Sequence, residues 1–463
     1  MDDWRGVKLP INPRNKYIII MKKEKTTKTT DIGNMELPEC IALFVNSAPD
    51  EFKLAVLLSV ICCYCTLATR LRVKYLYDLD LHALLLQILI VGEPGAGKSF
   101  TRGIVKRLMG RLRLRDKEER NKEKAYRKIV RKIKNKNLPD EPVVDVRCIQ
   151  TITRSMLTKR ADAIQTKFGE PLSFFLFAEE MSLMADSNKR AYADLRTLDR
   201  LAYDLGAEFC SETMYDGGCN SDVDICWNSL FCGTEHSLEE YIDKRSIEGG
   251  NVTRKVLCKL PDMLGDNAPK FKPIDSTGSA IIQNMVDRLM DETYGENDKL
   301  QPTHEIPMAW MDPQVEKWCQ AQRVEVLKSG SRARNCFYKR SSLSAFRMAA
   351  LLYYLWGEDE SKQKQVVKFY HFMATYIVDG LLEQWGREYD QMHQADKDSL
   401  AGQKTTIYDS LPNQFTRDQL RESIVKLSLK TDARNFICKW KRAKLIREVK
   451  ESNTELFEKN YKS

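Results

Sequence analysis

No stretch of this sequence is both long and apolar enough to cross a bilayer. The longest uncharged apolar run, Leu54 to Thr69, is closed by Lys53 and Arg70 and falls short of the roughly 20 residues a spanning helix needs. It predicts a buried helix, and a chain with no membrane partner. The first residues, MDDWRGVKLP, contain no apolar segment and no small-residue cleavage signal, which argues against export and predicts a cytoplasmic protein. Histidine is scarce: there are five in 463 residues, all far apart in sequence. The thirteen cysteines do not make up for this, because Cys62 and Cys65 form a Cys-x-x-Cys pair that no second pair matches. A zinc framework therefore lacks ligands at the right spacing. Cys62, Cys63, Cys226, Cys232 and Cys258 sit in apolar stretches, as reduced thiols used as small core residues would. Internal repeats are also missing, which excludes solenoids and propellers.

The length is enough for two to four domains, and 43% hydrophobic with 30% charged residues suits a globular chain. The net charge of +9 is unevenly placed. Residues 101–140 hold 16 Lys/Arg against 5 Asp/Glu, and residues 404–463 hold 14 against 8. Local excesses of +11 and +6 suit a polyanionic partner such as nucleic acid, or else solvated helix faces.

Hydropathy patterning divides the chain. Residues 1–36 include the basic, Thr-rich stretch MKKEKTTKTTD and read as a flexible tail or linker. An N-terminal helical segment is expected over 37–83, where residues 39–75 carry helical spacing with a break at Ala48-Pro49-Asp50, predicting two helices. An α/β core is expected over 84–268. Near-continuous apolar runs at Leu84–Val91, Ser173–Phe177, Ile225–Cys232 and Lys255–Leu260 predict strands of a parallel sheet buried on both faces. Residues 100–136 read as a basic helix or helix pair. Beyond Pro273 the spacing is helical almost throughout, so 269–395 is expected to be an all-α unit. A polar linker at 394–404 leads to 403–463, with helices over 416–426 and 432–446 and then a charged stretch able to form a β-wing.

The first apolar strand runs straight into Gly92-Glu93-Pro94-Gly95-Ala96-Gly97-Lys98-Ser99, with Phe100 opening the next helix. This is the G-x-x-x-x-G-K-[ST] loop in its required strand–loop–helix setting. Its glycines turn backbone N–H groups toward phosphates, Lys98 neutralises the β- and γ-phosphates, and the Ser99 hydroxyl ligates Mg2+. ATP and Mg2+ are the expected ligands. Hydrolysis also needs carboxylates at the tip of a strand beside the loop strand. Glu179 and Glu180, after FFLFA, fit as metal ligand and water-activating base, with the order of the two open by one position. At the tip of the third strand, Thr234 is the candidate γ-phosphate or water contact, ahead of Asn228; capping of the following helix explains Thr234 equally well. Arg254 follows Gly249-Gly250 and precedes a strand, where its guanidinium could reach the γ-phosphate of a neighbouring subunit. Arg340 and Arg347, seven apart, share one helix face; one could fold over the nucleotide, or both could be structural.

Taken together, GEPGAGKS, FLFAEEM, WNSLFCGTE, GGNVTRKVL and KRSSLSAFRMAALL resemble the ATPases encoded beside primases on phages, plasmids and conjugative elements of bacteria. Those in turn resemble minichromosome maintenance replicative helicases. The likeness spans roughly residues 37–390. It implies an AAA+ module with a helical lid, an arginine finger at Arg254, a second sensor arginine at Arg340, a homo-oligomer forming a hexameric ring, and ATP-driven translocation on single-stranded or forked DNA. A primase or loader protein is the further partner it suggests. Glu179-Glu180 replaces the Asp-Glu of the helicases, and no primase motif or N-terminal DNA-binding barrel is apparent. The tail resembles the winged helix that closes such chains. There Asp432 would cap a recognition helix on which Arg434, Lys439, Lys441, Arg442 and Lys444 meet phosphates beside Trp440. A motor serving replication or mobilisation of a genetic element is expected, with the 101–140 segment or a later hairpin facing the pore. A DNA-bound ATP switch that regulates transposition or loads a partner, without unwinding, is the alternative.

Overall fold

The computed structural model describes residues 32–133, 139–211, 221–395, 407–408, 410–426, 432–442, 445–449 and 455–459. The tail at 1–31 and most of the 394–404 linker lie outside these residues. Two helices open the described chain. In α1 (Glu39–Ser47) the run ends because Pro49 forces Ala48 into an extended conformation, φ −89° and ψ 149°. In α2 (Lys53–Leu67) fourteen of fifteen residues are buried, and the helix lies under the central sheet as its apolar sequence predicts. A short antiparallel hairpin, β1 (Leu71–Lys74) and β2 (Leu81–Ala83), follows.

The central sheet is built from β3 (Gln87–Val91), β4 (Cys148–Ile149), β5 (Phe174–Ala178), β8 (Trp227–Gly233) and β9 (Lys255–Lys259), all parallel, in the order β4-β5-β8-β3-β9. A second hairpin, β6 (Glu208–Ser211) and β7 (Ser221–Asp224), stands between β5 and β8 in the chain. β3, β5 and β8 are buried at every position, as strands covered on both faces must be. Two expectations change here. β8 separates β5 from β3, so the carboxylates after β5 come from the second strand along, about 10 Å away. The expected stretch 84–91 also enters the sheet only at Gln87, since Leu86 N donates to the side-chain Asn228 Oδ1, 2.7 Å, rather than to a ladder carbonyl.

The basic segment forms two helices, α3 (Phe100–Leu108) and α4 (Gly110–Ile133). Beyond residue 275 the chain is mainly helical, the longest helix being Arg332–Leu355. It is not all-α, however: β10 (His304–Ile306) adds a parallel strand to β1. Arg70 helps hold it there, since its carbonyl accepts from His304 N, 3.1 Å, and its Nε donates to Gln301 O, 2.8 Å. The C-terminal residues have their own small core. There β11 (Gln414–Thr416), β12 (Ile446–Val449) and β13 (Leu456–Lys459) form one sheet in the order β11-β13-β12, beside helices Arg417–Lys426 and Ala433–Arg442. Asp432 Oδ1 accepts from Arg434 N, 3.0 Å, at the start of the second helix. That helix ends at Arg442 rather than 446 because Ile446 joins β12.

One buried ion pair ties the core together. Lys255, at the start of β9, is fully buried and donates to Gln87 Oε1 of β3, 2.9 Å, and to Asp199 Oδ2. The same carboxylate oxygen accepts from Tyr241 Oη, 3.1 Å, and Asn251 Nδ2, 3.0 Å. Burial pushes the Lys255 ammonium below the usual lysine range, against the pull of Asp199. Removing one partner strands the other charge, so Asp199→Ala should lower stability by about 3–5 kcal/mol in urea unfolding, and adding Lys255→Met should restore part of the loss.

Candidate functional site

The loop 92–99 leaves β3 at the edge where the parallel strands end. Gly92 N donates to Gly233 O at the tip of β8, 3.0 Å, and Leu260 N to Val91 O, 2.7 Å, so the loop starts clamped between two neighbours. Gly97 has φ +78°, and a Cβ there would lie 2.5 Å from Pro269 Cγ; both the backbone angle and the space require glycine. Among the described residues, the amides of Gly97, Lys98 and Ser99 have no hydrogen-bond acceptor. They are consecutive and stand at the N-terminus of α3, an arrangement that binds anions. The Lys98 ammonium folds over the loop and donates to Gly92 O, 2.6 Å, and Glu93 O, 2.9 Å. Ser99 is exposed and directly precedes α3. Phe100 stacks on Phe271, with centroids 5.6 Å apart, and Phe52 meets both rings edge-on. Beside the loop, burial pushes the Cys232 thiol up to about 11, which leaves this sulfur protonated and inert.

Glu179 and Glu180 emerge from β5 at the same edge. Both oxygens of Glu179 are 2.8 Å from Arg102 Nε, on the first turn of α3. A cation beside Ser99 therefore competes with a guanidinium for this carboxylate. Glu180 is exposed and has no side-chain partner among the described residues. No group of three or more His, Cys, Asp or Glu among those residues is placed to hold a metal alone. Mg2+ carried in with a triphosphate needs only one or two protein oxygens, which Ser99 and Glu179 fit. Thr234 follows the strand tip that grips Gly92, and its hydroxyl caps the helix Glu235–Tyr241 in a capping box with Ser237. Asn228 lies fully buried inside β8.

The arginines are elsewhere. β9 pairs Lys255 with Gln87 and Lys259 with Val91, so Arg254 stands where the strands begin, roughly 15 Å from the loop of its own chain. Arg254 and Arg340 come together there in an open pocket of about 540 Å3, whose wall also holds Arg332 and Lys339. Burial, and next the Arg340 guanidinium, push Arg254 below the usual arginine range, and its Nε has no partner. Arg340 donates to Asp204 Oδ2, 3.3 Å. Arg347, on the same helix, is fully buried and serves structure. It donates to Leu85 O, 3.1 Å, Tyr203 O, 2.9 Å, and Asp204 Oδ1, 3.2 Å, and its guanidinium lies 4.3 Å from the centre of the Tyr203 ring.

Of the C-terminal candidates, Arg434 is exposed, while Lys441 pairs with Glu448 and lies over Phe457. Lys444 and the side chains of Lys439 and Arg442 fall outside the described residues. Trp440 differs from expectation: it is buried against Phe415, Phe436 and Tyr408 rather than interleaved with cations on a surface.

The motif reading overlooked Arg102, although it sits one helical turn after Ser99. It also overlooked Pro269 and Phe271, Tyr203 and Asp204, and Arg332 and Lys339, which only the tertiary fold brings to these places. The chain matches no protein-family model, and no curated protein matches it significantly.

The Arg347 network carries a pH dependence. Arg347 Nη2 donates to His82 Nδ1, 2.9 Å, leaving Nε2–H for Asp78, 2.8 Å. Burial, then Arg347, push the His82 pKa below its ordinary value. A depressed histidine pKa means the unfolded chain binds the proton more readily. The stabilisation is therefore complete above about pH 6.5 and is lost as pH falls from there toward the folded-state value. Tm should fall over this acidic window, and His82→Gln should flatten that fall.

Proposed function

We propose that this protein is a ring-forming AAA+ ATPase that drives a DNA helicase or translocase in the replication or mobilisation of a mobile genetic element. The observation that carries the reading is the separation of two half-sites. A phosphate cradle lies where the parallel strands end, and a pocket with two converging guanidiniums, Arg254 and Arg340, lies where they begin. Two like charges held together suit an anion, and that anion cannot be the nucleotide of the same chain. A closed ring in which each cradle faces the next subunit's pocket satisfies both halves.

In this mechanism the amides of 97–99 and Lys98 hold the β- and γ-phosphates. Ser99 and Glu179 hold Mg2+, which neutralises phosphate charge when bound. Glu180 orients the attacking water and accepts its proton, with Thr234 at the neighbouring strand tip. Arg254 and Arg340 of the adjacent subunit balance charge that develops on the transferred phosphoryl group, a contribution of about 10³–10⁵ in rate for such arginines. The five-stranded parallel sheet supports the AAA+ assignment. The order strand, helix, helix, β-hairpin at 414–459 supports a winged helix, with Arg434, Lys439, Lys441, Arg442 and Lys444 as its DNA contacts.

Lys98→Ala should reduce ATP turnover at least about 100-fold. Arg254→Ala and Glu180→Gln chains, each inactive alone, should give activity on mixing that follows neither additive line, because mixed interfaces pair one intact cradle with one intact pocket. Strictly additive activity at every ratio excludes a shared site. A forked duplex that is never unwound, with slow ATP turnover indifferent to single strands, replaces the motor with a DNA-bound switch.

A further inference from the structure

The +11 of residues 101–140 is not one surface. In the proximal part of the helix pair several arginines are committed to holding it on the body of the protein, although Lys106 and Lys117 are exposed and unpaired among the described residues. Arg111 pairs with Asp287 and Asp291, and Arg115 with Asp145 and Asp298. Arg120 donates to Cys148 O, 2.7 Å. Acidic side chains on the same helix do related work: Asp116 accepts from Arg147 N, 3.0 Å, and Cys148 N, 2.7 Å, and Glu123 pairs with Arg160.

Beyond Glu123 this ends. No acidic residue occurs between Glu123 and Asp140. Among the described residues, Lys124, Arg127, Lys128, Arg131 and Lys132 are all exposed, with no hydrogen-bond or ion-pair partner. At 100° per residue these five cations fall within an arc of about 140°. Lys124, Lys128 and Lys132 run along it at i, i+4 spacing, as do Arg127 and Arg131, with neighbours ~6 Å apart. The opposite face carries Tyr126, Ile129 and Val130, partly exposed.

We propose that the distal half of α4, Lys124 to Lys132, is a nucleic-acid contact that grips the sugar–phosphate backbone without reading sequence. Five unpaired positive charges over ~12 Å of helix, one per ~2.4 Å, approach the charge density of a duplex, about one phosphate per 1.7 Å. Lysine and arginine on a helix, with no aromatic ring on the cationic arc, provide phosphate contacts and no base readout. The apolar face is too small for a membrane anchor, since it lacks the Trp, Phe or Leu that such a helix buries. The site also has a mechanical position: α3 begins directly after Ser99 and α4 follows it after one residue, so the phosphate cradle opens one helix and the strand contact lies on the next. The inference rests on the reading of the protein as DNA-acting and names the surface that does the holding.

The test compares the full-length protein with a Lys124→Gln, Arg127→Gln, Lys128→Gln, Arg131→Gln variant. Binding to a fluorescent 40-nucleotide single strand of mixed sequence is measured from about 50 to 200 mM salt, and ATP turnover is measured without DNA. The expected result is a slope of log K against log salt reduced by about 3, at ~0.7 per lost phosphate contact, with DNA-free turnover within about twofold of the parent. A wild-type protein that binds the strand and a variant with the same slope overturn this surface but leave a DNA-acting ATPase intact. A wild-type protein that hydrolyses ATP yet binds no DNA at low salt overturns both. Vesicles containing one-third phosphatidylserine form the second arm. Vesicle binding lost in the variant, with strand binding unchanged, assigns the helix to a membrane surface and overturns the proposal.

Discussion

Parallel strand pairing is the constraint from which the rest of this structure follows. When five strands run the same way, every loop that leaves a strand tip opens on one edge and every loop that enters a strand opens on the other. The glycine loop 92–99, Glu179, Glu180 and Thr234 leave β3, β5 and β8 and so share an edge. Arg254 enters β9 and is sent to the far side. The buried Lys255–Asp199 pair fixes this geometry, because it joins the residue next to Arg254 to Gln87 at the foot of the loop strand. The need for a neighbouring subunit in the proposed mechanism comes from this arrangement.

The sequence makes the long buried strands legible because continuous apolar runs have few other homes. The shape of the glycine loop at 92–99 is legible because its motif specifies backbone conformation, and glycine at position 97 meets an angle and a contact at once. β4 and β10 are not legible. They are two and three residues long, and β4 is held by an Asp116 carboxylate whose role depends on α4 packing alongside. The same holds for the basic pocket: Arg254 and Arg340 lie 86 residues apart in the chain, and nothing local marks Tyr203, whose ring both guanidiniums approach, as their meeting point. Trp440 is different, since Ala433, Phe436, Ile437 and Trp440 recur at helical spacing. That periodicity already places the indole in a core, and the surrounding lysines obscured it.

The basic segment shows why net charge alone says little about partners. Read as composition, 101–140 is uniformly cationic. Read through its contacts, several arginines before Glu123 are tied to the body of the protein, whereas the described cations from Lys124 to Lys132 have no partner.

Arg347 has a consequence for motion. Its guanidinium is inserted from the helix Arg332–Leu355 into carbonyls at the start of the sheet, Leu85 O and Tyr203 O, with no exposure to solvent. Across the same boundary Tyr376 Oη donates to Leu257 O, 3.0 Å, and Tyr75 Oη to Ser342 Oγ, 2.7 Å. Swinging the helices away from the sheet would strip a buried cation of every acceptor it has, a loss of several kcal/mol. The contacts favour the two layers moving together, so in the proposed ring any work drawn from hydrolysis would appear as one protomer tilting against the next.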